Sequence, residues 1–194
     1  LAIGVYITYK ILDIADLKVD GSFCTGGAVF VVLFGSGASL WLALLAALGA
    51  GMLAGMVTGL LHTACGIPAI LAGILTQLGL WSVNLAIMGM KANVAINVTD
   101  QANLDRLLVS LRFVQDVAKG TRPFYRHPIL VVGVFSLAII SVLYWFFGTE
   151  LGASLRATGA NPNMARAQGI NTDTAKVLGL ILSNGLVALS EALL

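Results

Sequence analysis

The 194 residues are 58% hydrophobic and only 10% charged, with a mean hydropathy of +0.94, against roughly 25% charged in an ordinary soluble domain. So few polar groups cannot cover a soluble fold of this length. A formal net charge of +2 without a basic stripe interleaved with aromatics excludes nucleic acid as a partner. What remains is a membrane partner and an all-α, polytopic transmembrane helical bundle, with residues 1–194 forming a single transmembrane domain.

Residues 1–12 predict a first span cut at its start, because Leu1 already stands in an apolar run. Asp13, Asp16 and Asp20 follow, with Lys10 and Lys18 interleaved. Two readings are open: an interfacial turn with its charges among headgroups, or carboxylates held deeper to meet a cationic or ammonium-bearing solute. A charge at the centre of a span costs about 2.5–3.5 kcal/mol on insertion scales and is retained mainly where it functions. Asp20-Gly21-Ser22 is placed to cap the helix that follows.

From Ser22 to Met90 there is no Asp, Glu, Lys or Arg, and His62 and two thiols are the only ionisable side chains. Within that run residues 23–35 are about half of the roughly 20 residues a crossing needs, and Gly35-Ser36-Gly37 breaks them. They predict a half-span or re-entrant helix, whose irregular end must face protein or a wet cavity rather than lipid. Residues 38–61 predict a full span in which Ala47, Gly51, Gly55 and Gly59 recur every four residues, a packing face that another backbone can approach closely. Cys24 and Cys65 lie in apolar stretches and are expected to pack as small buried hydrophobes without a disulfide.

Residues 67–90 predict the next span, with Pro68 in its first turn, where the missing N–H has no partner to lose. Gln77, Ser82 and Asn84 on it require partners, from neighbouring helices or from a solute path. The candidate path residues are thus Asp16, Asp20, Ser22, Pro68, Gln77 and Asn84. In the loop from Lys91 to Arg126, the spacing of Leu104, Leu107, Leu108, Leu111, Val114 and Val117 predicts an amphipathic surface helix. Residues 128–148 predict another span, residues 149–176 a small, Gly-rich polar region turned by Asn161-Pro162, and residues 177–194 a last span cut at its end. The chain therefore reads as an internal piece of a longer protein.

No catalytic set emerges. His62 and His127 each stand without a carboxylate or thiol at metal-ligand spacing, and there is neither a nucleophile elbow nor a phosphate-binding G-x-x-x-x-G-K-[ST] loop. The chain is expected to be no enzyme and to hold no cofactor, so any ATP that drives it is bound by a separate subunit.

The stretch LGASLRATGANPNMARAQGI at Leu151–Ile170 closely resembles the cytoplasmic loop of permeases in the branched-chain amino acid and ribose ABC importer family. Gly152, Arg156, Ala157, Gly159, Asn161, Ala165, Gly169 and Ile170 carry the match. ILDIADLKVDGSF, the Gly-rich second span and ILAGILTQLGLWSVNLAIMG extend it over nearly the whole chain, closest to the tryptophan/tyrosine-type permease branch. Glu191 departs from it, standing in LSEALL where the family keeps Gly, and marks either a polar lumen or an effect of the chain end. The charge distribution also departs: residues 91–126 hold more Lys and Arg than residues 149–176, against the orientation the family implies.

The resemblance implies a permease subunit of the bacterial plasma (inner) membrane that imports a small solute, amino acid-like and aromatic in this branch, or else a nucleoside or sugar. It implies a coupling helix in the 149–176 loop docked on an ABC ATPase subunit, with Arg156 and Arg166 free to pair with carboxylates there. A second permease chain, as a homodimer, and an extracytoplasmic substrate-binding lipoprotein complete the expected assembly. A channel or secondary transporter working without an ATPase, or a structural membrane subunit without transport, is the alternative.

Overall fold

A computed structural model describes residues 1–91 and 128–193, with side chains from Val132 onward in the second segment. The predicted amphipathic helix at 104–117 and His127 lie outside the described residues. Helix α1 (Ala2–Tyr6) runs directly into a π-helical turn, Ile7–Ile11. It is followed by α2 (Val19–Gly35), α3 (Leu40–Thr63), α4 (Ala69–Ile87), α5 (Pro128–Phe147), α6 (Glu150–Ala160), α7 (Pro162–Ala167) and α8 (Thr172–Ala192). Among the described residues α3, α4 and α8 are each long and apolar enough to cross a bilayer, while α5 and α6 together form a path bent by 81°.

The predicted spans at 38–61, 67–90 and 177–194 appear as α3, α4 and α8 with shifted ends, that at 128–148 appears as α5, which reaches span length only with α6, and residues 1–12 form only the short α1 and the π turn. α8 begins at Thr172, five residues before the apolar run, because Asn171 caps it: its Oδ1 accepts from the N–H groups of Asp173 and Thr174 at 3.1 and 3.2 Å. Pro68 is the N-cap of α4 rather than a residue of its first turn. Asp20 caps nothing, since α2 starts one residue earlier, with Lys18 as its N-cap and no side-chain cap bond.

The core is the antiparallel seam of α3 on α8. A Cβ built on Gly55 would stand 2.8 Å from the Ile181 Cα, one on Gly59 3.0 Å from the Val177 Cα, and one on Gly51 would strike the Asn184 carbonyl and Ala188. Backbones meet there because side chains are missing, which is the packing role the four-residue spacing predicts. α2 lies parallel to α8, Gly26 against Ala188 and Gly27 against Glu191. Phe30 and Phe34 fill the far end of the core with Ala43, Leu44, Ala47 and Leu189.

At 17 residues α2 is longer than the predicted half-span, yet it starts deep within the bundle. Its first turn meets Asn184, twelve residues into α8, or about 18 Å along that helix at 1.5 Å per residue. The chain reaches this depth by turning at Asp13, a non-glycine residue in left-handed backbone at φ 55°, and returning through a non-helical stretch into the bundle. Cys24 and Cys65 are free and exposed, against the expectation of burial: one sits on the outer face of α2, the other in the loop after α3.

Candidate functional site

The returning stretch Asp13–Lys18 carries Lys18 and, in part, Asp16 into the bundle, while Lys10, Asp13 and Asp20 stay exposed. Lys18 is 0% exposed. Its Nζ donates to the Ala54 carbonyl at 2.7 Å and to Thr58 Oγ1, both on α3, and Thr58 Oγ1 donates in turn to Thr76 Oγ1 of α4 at 3.0 Å. A buried ammonium tolerates such a place only when its protons are taken up by acceptors.

Asp16 is half buried. Its Oδ1 accepts from the Lys18 backbone N–H at 3.2 Å and its Oδ2 from Asn184 Nδ2 at 2.9 Å. Asn184 is fully buried, also donates to the Leu180 carbonyl, and accepts from Ser22 Oγ at 2.7 Å. Asp16, Asn184 and Ser22 thus tie the returning stretch, α8 and α2 together. The non-helical chain lies against α4 at Gly73, where a Cβ would stand in ordinary contact with it, 3.5 Å from the Leu17 nitrogen.

Asn84 is 5% exposed. Its Nδ2 stands 3.5 Å from the Gly21 carbonyl, and its Oδ1 has no partner among the described residues. Gln77 is half buried against Gly21. The structure therefore gathers Asp16, Ser22, Gln77 and Asn84 around the start of α2. Asp20 stays exposed on the first turn of α2, and Pro68 is exposed at the head of α4. Sequence reasoning passed over Lys18, Asn184, Thr58 and Thr76. Only the polar pair Ser183-Asn184 inside an apolar run gave any signal. Further up, Glu191 is half buried over Gly27, with Oε2 buried and unpartnered among the described residues. Of the histidines, His62 is engaged locally, its Nδ1 2.8 Å from the Ile67 carbonyl.

The second assembly is the elbow formed by α6 and α7. Gly152 allows the sharp bend out of α5: a Cβ there would sit 2.9 Å from the Phe147 carbonyl carbon. Thr149 caps α6, its Oγ1 accepting from the Gly152 N–H at 3.4 Å. Gly159 lies directly on the end of the π turn, where a Cβ would be 3.0 Å from the Leu12 Cα and closer still to the Ile11 carbonyl. Leu155, fully buried, joins Ile7, Leu12, Ile14 and Leu180 in one cluster. Asn161 caps α7, its Oδ1 accepting from the N–H groups of Asn163 and Met164, both at 3.1 Å.

α7 is closed by Gly169 in left-handed backbone at φ 83°, while the Ile170 N–H returns to the Ala165 carbonyl at 3.0 Å. Ala165 is buried beneath it, Ala157 and Ile170 are half buried, and Arg166 donates to Thr172 Oγ1 at 2.7 Å and to Asp173 Oδ1 at 3.0 Å. Arg166 is therefore engaged within the chain. Most of the motif shapes the elbow, leaving Arg156, Asn163 and Met164 exposed on its outer surface.

A family model described as the permease component of a branched-chain amino acid transport system matches residues 1–194. A tyrosine transport system permease protein of Clostridioides difficile is 36% identical over 194 residues, and an uncharacterized protein of Rickettsia prowazekii is 32% identical over 197; each alignment covers 100% of this chain. An autoinducer 2 import system permease protein of Salmonella typhimurium is 26% identical over 191 residues, covering 98% of it. The chain spans 59%, 62% and 50% of these relatives' lengths, respectively. No solved structure gives a significant match.

Proposed function

We propose a function from one premise: the chain belongs to the branched-chain amino acid transport system permease component family. It is a multi-pass membrane protein of the ABC permease kind. On our reading it is the membrane-spanning part of a bacterial inner-membrane importer for a small amino acid-like solute, and the name of the Clostridioides difficile relative makes tyrosine the first solute to test. ATP is hydrolysed on a separate ATPase subunit, a second permease chain completes the path, and an extracytoplasmic lipoprotein delivers the solute.

The observation that carries this reading is the two-sided elbow. Its outer surface offers Arg156, Asn163 and Met164 to a partner. Its inner surface, through Leu155 and Gly159, rests on Ile11 and Leu12, the residues that lead into the stretch bearing Asp16 and Lys18. A displacement of α6 by an ATPase is thereby delivered to the start of α2, switching access to a path that runs past Asp16, Gln77 and Asn84.

The test is uptake into proteoliposomes holding the full-length permease, its ATPase and its lipoprotein. Tyrosine accumulation that requires ATP on the ATPase side supports the proposal. Solute flux through the permease alone, without ATP, contradicts it and makes the chain a channel or secondary transporter.

A further inference from the structure

A cavity of about 420 Å³ opens where α6 crosses the end of the π turn, within the roughly 300–1,000 Å³ of small-molecule sites. Tyr9, Lys10 and Asp13 line it from the π turn and the chain just after it, and Arg156 and Gly159 line it from α6. Lys10, Asp13 and Arg156 are all exposed. Among the described residues the one ion pair is Arg166–Asp173, so Asp13 neutralises neither cation by contact. Two cations and one carboxylate leave the walls with a net positive charge.

The cavity lies where the bundle meets a membrane surface. α6 leaves the apolar α5 at 81° and carries Glu150 and Arg156, so it runs along the bilayer rather than through it. α1 and the π turn hold no charge before Lys10. Tyr6 and Tyr9 are 58% and 72% exposed beside it, which suits tyrosine at a headgroup boundary. Lys10 can lay its methylenes along the apolar segment and keep its ammonium at that boundary. The anion found there is the phosphodiester of a phospholipid, whose oxygens can meet a guanidinium fork and an ammonium from different sides at once.

We infer that this cavity binds the headgroup of an anionic phospholipid, its phosphate held between Lys10 and Arg156 and its hydroxyls donating to Asp13. Basic pockets beside membrane helices suit such headgroups. An ethanolamine headgroup would turn its ammonium to Asp13, but against walls of net positive charge. Asn163 and Met164 do not line the cavity, and Arg156 alone is shared with the surface proposed for the ATPase. A bound lipid also spans the joint at which Gly159 rests on Ile11, and so ties α6 to the π turn.

The experiment is native mass spectrometry of the purified full-length permease, titrated in detergent with phosphatidylglycerol, phosphatidylethanolamine or phosphatidylcholine. Neither ATP nor solute is present, so the result is independent of the transport reading. Phosphatidylglycerol is expected to bind with about fivefold or greater preference over the other two. Lys10→Gln and Arg156→Gln are each expected to weaken it about fivefold. Lys176→Gln, near the head of α8 and outside the cavity, should leave it unchanged. Asp13→Asn keeps an acceptor and tolerates the left-handed backbone at φ 55°, so it should bind phosphatidylglycerol at least as tightly.

Lys10, Asp13 and Arg156 are exposed, and the wild-type preference among the three lipids is read whether or not a variant folds. Weaker binding in Asp13→Asn, or phosphatidylethanolamine bound as tightly as phosphatidylglycerol, would make the ligand an ammonium-bearing headgroup and overturn the inference. Equal loss in Lys176→Gln would reduce it to general surface attraction, and unchanged binding in Lys10→Gln would leave Arg156 to the ATPase surface alone. Displacement of the lipid by inorganic phosphate would make the occupant a free anion.

Discussion

Two regions of the bundle hold α8 by opposite means. Along Gly51, Gly55 and Gly59, α3 meets α8 backbone to backbone with nothing polar between them. At Asn184, whose carbonyl lies in that seam, the side chain instead holds α8 by hydrogen bonds to Asp16 and Ser22 on chain that is not helical or has only just become so. In a membrane the first kind of contact rests on close packing and tolerates no added volume. The second rests on satisfied polar groups and tolerates volume better than the loss of a partner. On the proposed function, the close-packed seam would hold the bundle together while the polar insertion supplies hydrogen bonds whose partners can exchange.

The contrast is broken most severely at the seam. Gly55→Leu drives a side chain into the Leu180 and Ile181 backbone, which cannot yield as a side chain does. A loss on the order of 4 kcal/mol, above ordinary overpacking, is expected to appear as loss of folded protein in detergent. Asn184→Leu keeps the branched heavy-atom shape with a modest gain in volume and removes a donor from Asp16 and the acceptor of Ser22. A cost of about 3 kcal/mol is expected, read as a lower thermal midpoint with the monodisperse fold retained. If Asn184→Leu proved the more damaging of the two, the assignment of rigid and exchangeable regions would have to be reversed.

How far the sequence reveals this contrast depends on the distance over which each feature is determined. The uncharged runs that became α3, α4 and α5 are local, as is the four-residue spacing of the seam, and all of them are readable directly. The position of Lys18 is not, because its acceptors lie 36 and 40 residues further on. A charge flanked by Asp16 and Asp20 therefore reads equally well as interfacial. The exposure of Cys24 was hidden for the same reason, since which side of α2 faces α8 is settled by Gly26 and Gly27 rather than by the thiol. Glu191 breaks an apolar run, and its buried Oε2 has no hydrogen-bond partner among the described residues.

The elbow gave a different lesson. Its motif was recognised as a whole, but residue types alone did not separate those that build it from those a partner can touch. Arg156 and Arg166 look alike in sequence, and only the structure shows Arg166 joined to Thr172 and Asp173. Asn161→Ala is expected to cost about 1 kcal/mol by uncapping α7, and to reduce ATP-coupled uptake more than that destabilisation explains. The comparison of uptake with thermal midpoint checks it. Arg166→Ala should barely change stability, within about 1 kcal/mol, because the Arg166–Asp173 ion pair is 58% and 53% exposed and screened by solvent. A large thermal shift there would place the elbow's rigidity in its ion pair rather than in its caps and glycines.

The central claim is that the outer surface of α6 and α7 is gripped by an ATPase while their inner surface drives the start of α2. Single cysteines at Asn163 and Met164 on the elbow, and at Trp81 and Trp145 on exposed apolar helix faces, test it by crosslinking in membranes that contain the full assembly. The account predicts ATPase adducts from the elbow positions, with a yield that changes when ATP is bound, and none from the tryptophan positions. Elbow cysteines that are labelled by an impermeant reagent from outside the cell, and never crosslink to an ATPase, would contradict it.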